Sequence, residues 1–405
     1  MDILVLNCGS SSIKYQLLSL NDTSNLLAKG IVDRIGNENS ELEHKVPGRE
    51  PVVIRQIIPD HTDGIRLILQ ALISEPTKVI DSLNEIEAVG HRVAHGGEFF
   101  SDSVLINDEV KLCIKNCIAL APLHNPANLA GIESVEKLMP EIPQIAVFDT
   151  AFHQTMPKEA YLYAIPYSLY KKYAVRRYGF HGTSHKYVAQ KACQLLGLNF
   201  KASNIITCHL GNGASITAIH NGKSVDTSMG FTPNEGLIMG TRSGSIDPGI
   251  IPYIASMEHM GFDDVNEILN KRSGVKGISQ LSSDMRDLVQ ASATGHEGAE
   301  LALQMYALRV KKYIGAYMAI LNGVDLIIFT GGIGENNFTV RRLCLEGLDA
   351  MGILFDEKKN DKLCGKDEVI TLPESKVKVM TITTDEELVI AQETLNIVKS
   401  SKINS

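Results

Sequence analysis

The sequence predicts an α/β protein made of two related halves. Three observations carry that expectation: apolar runs of strand length alternate with longer runs at helical spacing, glycine turns stand where strands end, and one strand-turn-strand phrase occurs in each half. At 405 residues the chain also exceeds the size at which one core keeps growing. Two domains are therefore expected, 1–150 and 151–385, with no Pro- or Ser-rich linker between them and a helix at about 386–400 packing back on the first.

The first half opens with a strand from Ile3 to Leu6, the turn Cys8-Gly9-Ser10-Ser11-Ser12 and a strand from Ile13 to Leu18. A strand from Ala88 to Val93 follows, then a helix opening at Asn125-Pro126, with Asn as N-cap and Pro at N1, then a strand from Ile145 to Phe148. In the second half, Val188, Ala192, Leu195 and Leu196 mark a helix that begins around Gly182-Thr183-Ser184 and closes at Gly197. The hairpin phrase recurs as strand Asn204 to His209, turn Gly211-Asn212-Gly213 and strand Ser215 to Ile219. Leu303, Ala307, Val310, Ile314, Tyr317 and Leu321 step along a long helix, a turn at Asn322-Gly323 follows, and the buried strand Leu326 to Thr330 runs into Gly331-Gly332-Ile333-Gly334. After Thr384-Asp385-Glu386-Glu387, read as a capping box with Thr384 as N-cap and Glu387 at N3, a last helix carries Leu388, Ala391, Leu395 and Val398 on one face.

Composition narrows the function. Apolar residues make up 44% and charged residues 21%, and mean hydropathy is zero, as in a globular protein. The net charge of −8 is spread without basic blocks, so neither nucleic acid nor a membrane surface is an expected partner. The N-terminal apolar run is too short for a signal-peptide core, and no stretch approaches the ~20 apolar residues that span a bilayer, which places the chain in the cytoplasm. Seven scattered cysteines without a Cys-x-x-Cys pair read as reduced core thiols; Cys113 and Cys117 share a helix face but lack the partners of a zinc site.

Phosphate chains are held by close-approaching backbone N–H groups, small hydroxyls and a few fixed cations. Asn7 to Lys14 and Gly211 to Gly213 offer such turns, although each alone is a weak signal and more often a plain hairpin turn. No Walker A pattern is present: Gly222-Lys223-Ser224 ends like one, but Thr217 stands where its first glycine belongs. Arg92, Asp149, His181 and Arg242 sit beside glycine or apolar residues near strand ends, where α/β proteins place ligands. Either arginine could instead serve an ion pair between domains. His181 and His185 have zinc-pair spacing but lack the H-E-x-x-H glutamate, and His181 precedes its helix, so His185 reads as a packed core residue.

Taken together, Asn7-Cys8-Gly9-Ser10-Ser11-Ser12-Ile13-Lys14, Pro122-Leu123-His124-Asn125-Pro126, Arg177 to His185, His209 to Gly213 and Gly331 to Asn336 closely resemble the motifs of the acetate kinase family, over nearly the whole chain. The resemblance implies two duplicated ribonuclease-H-like (actin-like ATPase) domains with a βββαβαβα core in each, an active site in the interdomain cleft, and a homodimer. It implies direct phosphoryl transfer between ATP and acetate, giving ADP and acetyl phosphate. Asp149, His181 and Arg242 would then be catalytic, with Arg92 on the substrate carboxylate and Ala94, Leu123, His124, Phe180 and Pro233 around the acyl group. The nucleotide would fall on Lys14, His209, Leu210, Gly211, Asn212, Gly213, Asp284, Met285, Arg286, Gly331, Gly332, Ile333, Gly334 and Glu335. Magnesium, with manganese as the alternative ion, would be held by Asn7 and a C-terminal glutamate. Glu386 is chosen because the capping box occupies Glu387.

Ala94 stands where the family commonly has valine, which enlarges the acyl pocket and raises a propionate kinase of the same fold as the alternative. Asn234 and Ser245 replace the more usual Leu and Asp. A non-catalytic nucleotide switch would not need Arg92 and Arg242, and a sugar kinase would not need an arginine for a substrate anion.

Overall fold

Alternation along the strands builds two sheets, each covered on both faces. The structure, a computed structural model, describes residues 1–21 and 24–403. It divides into two compact units, Met1–Ala151 with Asp385–Ser405, and Phe152–Thr384.

In the first unit, β1 (Asp2–Cys8), β2 (Ser12–Leu20), β3 (Ser24–Asp33), β4 (Glu41–Lys45), β5 (Val52–Arg55), β6 (Ile86–Val93), β7 (Val104–Leu105) and β8 (Gln144–Phe148) form one sheet in the order β5-β4-β3-β2-β1-β6-β8-β7. The hairpins are antiparallel, whereas β1, β6 and β8 run parallel. Leu4, Leu6 and Cys8 of β1 point into a core with the helices His61–Ile73 and Asn125–Leu138. Ile3 and Val5 point the other way, with Ala88, Ile145 and Val147, against Ile390, Ala391 and Val398 of the helix Glu386–Ile403.

In the second unit, β9 (Asn204–Leu210), β10 (Ala214–His220), β11 (Lys223–Thr227), β12 (Leu326–Thr330), β13 (Glu368–Val369) and β14 (Lys378–Thr381) are ordered β11-β10-β9-β12-β14-β13. Both sheets thus contain the same five-strand core, a three-strand antiparallel meander with two parallel strands added beside its first strand. Ile206, Cys208 and Leu210 face the long helix Glu297–Ile320. Ile205 faces the helix Gly182–Leu196, and with it, by alternation, go Thr207 and His209. That helix precedes β9, while the helix in the corresponding place on the first sheet follows Thr384.

Two helix starts differ from the sequence reading. His124, not Asn125, is the N-cap of Asn125–Leu138, because the Asn125 amide is drawn inward to His95 N, His95 O and Ile114 O. Asp385, not Thr384, caps the last helix: its Oδ1 accepts from Leu388 N at 3.0 Å, and its carbonyl from Val389 N. Glu387 therefore has no capping role. No helix among the described residues is long and apolar enough to cross a membrane.

Candidate active site

In the first unit the candidate residues lie where parallel strands end. Arg92 is the penultimate residue of β6 and Asp149 directly follows β8, its register neighbour. Their side chains meet, Arg92 Nη2 donating to Asp149 Oδ2 at 2.8 Å, with Asp149 only 1% exposed and Arg92 23%. Asp149, and then Glu386, raise the guanidinium pKa above its ordinary value. Glu386, half-buried at the start of the last helix, joins this group: loss of solvent and then the Asp149 charge push its carboxyl up to about 7, against the pull of Arg92 and Lys14. Lys14 lies directly across the β1–β2 ladder from Asn7, and its charge acts on Glu386.

Ala94, buried, is pinned by Asn128, whose Oδ1 accepts from Ala94 N at 2.9 Å while its Nδ2 donates to Cys8 O at 2.8 Å. Leu123 is 72% exposed and contributes no buried wall within its own unit, and His124 is half-buried beside it. Asn125 and Asn128 were missed as positioning residues. Their i, i+3 spacing on one helix face was the available signal.

The second unit gathers the others by register. β9 and β10 place Ser215 opposite His209, and the helix Gly182–Leu196 lies over that face with Ser184 and His185. Gly179, whose φ of +75° leaves a Cβ only 2.4 Å from Thr227, leads into His181, itself left-handed at φ +57°. The His181 ring stacks on His209 at 4.2 Å, and its Nδ1 lies 2.9 Å from Ser215 Oγ. Its other edge faces the turn. A Cβ on Gly213 would lie 3.7 Å from His181 Nε2 and 3.4 Å from Arg242 Nη1, so two cationic-type donors converge on a backbone position that carries no side chain. Arg242 is half-buried and has no carboxylate partner among the described residues. Its Nη1 reaches only Pro233 O (3.4 Å) and Met239 Sδ (3.8 Å), and burial lowers its pKa. Phe180 is buried, its carbonyl accepting from His153 Nε2.

A cavity of about 740 Å³ collects Gly211, Asn212, Asp284, Met285, Arg286, Gly332 and Ile333. Asn336, Asn337 and Cys364 also line it and were missed, the last because its thiol is exposed rather than in a core. Gly331 closes one end of the turn at φ +76°, where a Cβ would fall 2.7 Å from Leu210 O. The Glu335 carboxylate turns back to accept from Gly331 N (3.0 Å) and Thr384 N (2.9 Å), so it shapes the turn instead of lining the cavity. Asp284 caps the helix Met285–Ala293 and pairs with the exposed Arg286. Ser245 Oγ accepts from Gly236 N at 3.0 Å, while Asn234 Oδ1 is buried without a hydrogen-bond partner, and nothing in the structure explains Asn234.

The profile of the Acetokinase family matches residues 2–392. An acetate kinase from Acetivibrio thermocellus is 54% identical over 99% of this chain and all of its own. The crystal structure of Porphyromonas gingivalis acetate kinase superposes with a TM-score of 0.96 at 51% identity, covering 98% of this chain and 99% of that one. That of a propionate kinase from Francisella tularensis does so with 0.90 at 44%, covering 98% and 99%. With the match running across both sheets and every segment described above, the chain belongs to the acetokinase family.

Proposed function

We propose that this protein is an acetate kinase, catalysing reversible phosphoryl transfer between ATP and acetate to give acetyl phosphate and ADP. The observation that carries the reading is the convergence of Arg242 and His181 on the side-chain-free turn at Gly213. A transferring phosphoryl group spreads charge over its equatorial oxygens, and a half-buried guanidinium without a carboxylate partner is preorganised to receive that charge. His209 and the turn through Gly213 would hold the phosphate chain, and the cavity beside Asp284 and Gly332 the nucleoside. Arg92 would take the substrate carboxylate. Asp149 fixes the Arg92 guanidinium from the buried side, and because acetate is already ionised near neutral pH, orientation is a sufficient role for it.

Among the described residues no group of three or more His, Cys, Asp or Glu side chains could enclose a metal ion. Magnesium needs no such cage, since it keeps waters and phosphate oxygens and takes few protein ligands. The donors present fit it: Asn7 and Glu386 offer hard oxygens, and the Asp149–Glu386 repulsion is what a divalent cation relieves. When bound, the ion would neutralise phosphate charge; manganese is the alternative. Below about pH 7 the Glu386 carboxyl of the folded protein keeps its proton, whereas unfolded it would ionise near pH 4.3. Between those values the folded chain binds more protons, so this group's contribution to stability falls as pH rises, and cation binding releases a proton. Calorimetric titration of magnesium and ADP at about pH 6, in buffers of different ionisation enthalpy, should show a larger release in wild type than in Glu386→Gln, where only the ADP phosphate gives up a proton. Equal release in the two would remove Glu386 from the metal site.

A second copy of the chain is the proposed partner, supported by the exposed stripe Leu301, Met305 and Leu308 on the long helix. We place the protein in the cytoplasm, which suits seven free cysteines.

The reading is tested by acyl phosphate formation from ATP, trapped as the hydroxamate, with acetate and propionate in parallel. Acetate should dominate, and its absence as a substrate would overturn the proposal. A propionate kinase is the second reading, favoured by Ala94, where two methyl groups are missing from a buried position. Ala94→Val should lower the propionate-to-acetate ratio of kcat/KM by about tenfold or more. Propionate dominance in wild type, reversed by that substitution, would establish the alternative.

A further inference from the structure

Behind His181 runs a hydrogen-bonded chain that the phosphoryl-transfer reading does not use. Ser215 Oγ lies 2.9 Å from His181 Nδ1 and 2.7 Å from His185 Nε2, and His185 Nδ1 lies 2.6 Å from Thr207 Oγ1. Ser215, His185 and Thr207 are each 0% exposed. Buried polar atoms of this kind are costly unless every proton has an acceptor, so the chain's proton count is constrained.

A hydroxyl has one proton to give and lone pairs to accept, and a neutral imidazole has one N–H and one lone pair. His185 is neutral, its pKa held well below the ordinary value by burial and then by His153 and His209. Two arrangements fill the three bonds. In the first, Thr207 donates to His185 Nδ1, His185 Nε2–H donates to Ser215, and Ser215 donates to His181 Nδ1. The neutral His181 ring then carries its proton on Nε2, the edge facing Gly213. In the second, all three bonds reverse: His181 Nδ1–H donates to Ser215, Ser215 to His185 Nε2, and His185 Nδ1–H to Thr207. That arrangement leaves the Thr207 hydroxyl proton without an acceptor among these bonds, so a neutral chain takes the first; only a doubly protonated His181, which again has a proton on Nε2, imposes the second. The chain can change direction without exposing any member to solvent. His209, stacked on His181, His185 behind Ser215, His153 edge-on to His185, and Arg242 across the Gly213 turn are the titratable or charged groups around it.

We propose that Ser215 is a positioning residue that keeps a proton on His181 Nε2 whether the ring is neutral or charged, so that the donor aimed at the transferring phosphoryl oxygen survives the histidine's titration. The catalytic part of this inference rests on the proposed kinase reading. The tautomer part does not.

Nitrogen-15 NMR of the full chain with labelled histidine tests the tautomer, the His181 signal being identified by its loss in His181→Asn. Neutral wild-type His181 should carry its proton on Nε2. Ser215→Ala should move the ring toward Nδ1–H, and Ser215→Thr, which keeps the hydroxyl, should restore it. In parallel, with magnesium saturating at each pH so that Glu386 stays ionised, kcat of wild type should stay level from about one unit below to two units above the ordinary histidine pKa of about 6.5. Ser215→Ala should lose about tenfold or more above that pKa, with KM for ATP unchanged. A wild-type ring protonated on Nδ1 overturns the proposal even if Ser215→Ala fails to fold. A kcat profile of unchanged shape in a folded Ser215→Ala overturns it as well. The expected tautomer in a chain that phosphorylates neither acid would strike only the kinase reading.

Discussion

Replacing Arg242 with alanine is expected to lower kcat for acyl phosphate formation by about 10²–10³, roughly 3–4 kcal/mol, while ADP binding changes little. The asymmetry follows from where the guanidinium sits. Its Nη1 is aimed at the Gly213 turn, and neither of its protein contacts, Pro233 O and Met239 Sδ, is an anion. Among the described residues no ion pair is broken by the substitution, so the fold should tolerate it, and the loss should appear where phosphoryl charge develops. Steady-state rates at saturating ATP and acetate, with ADP affinity measured on the same preparation, decide the matter. Near-native turnover would remove Arg242 from the mechanism.

Asp149→Asn is expected to reduce kcat/KM for acetate by about 10², because a displacement of order 1 Å in a positioning group costs about that much. The substitution keeps the shape of the side chain but weakens the 2.8 Å bond that fixes Arg92. It also removes the negative charge that, after burial, does most to raise the Glu386 pKa. The same variant should therefore shift the proton release linked to magnesium binding toward lower pH. Loss of acetate affinity without that shift would leave Asp149 as the orienter of Arg92 and separate it from the Glu386 site.

The parts of this fold that were legible in the sequence share a physical cause. Leu326–Thr330 is buried on both faces and reads as an unbroken apolar run, and Gly197 ends its helix in the left-handed conformation that glycine favours. Both signals are local. The two helix starts that differed, at His124 and Asp385, turn on tertiary competition: the Asn125 amide has partners in a distant segment, and Thr384 N is taken by Glu335. A cap is chosen by whichever partner is nearest in space, which a single sequence does not record. The same holds for the cluster around Gly213. Its members were named from motifs, but their convergence depends on the β9–β10 register and on which face Gly182–Leu196 covers. Asn337 and Cys364 line the cavity beside Gly332 from positions with no motif to mark them, while Asn336 ends a motif that gave it no role.

The helix Glu386–Ile403 has a consequence for the order in which the protein is made. It covers Ile3, Val5, Ala88, Ile145 and Val147, all of which leave the ribosome long before it does. About 240 residues separate Val147 from Ile390, and at roughly 5–20 residues per second that gap is on the order of 10–50 s. Throughout that interval one apolar face of the first sheet has no native cover, whereas the second unit, contiguous from Phe152 to Thr384, has received all its strands and both its covering helices before that cover is made. The half synthesised first is thus the half completed last, and until then its nascent sheet carries an apolar face open to wrong contacts.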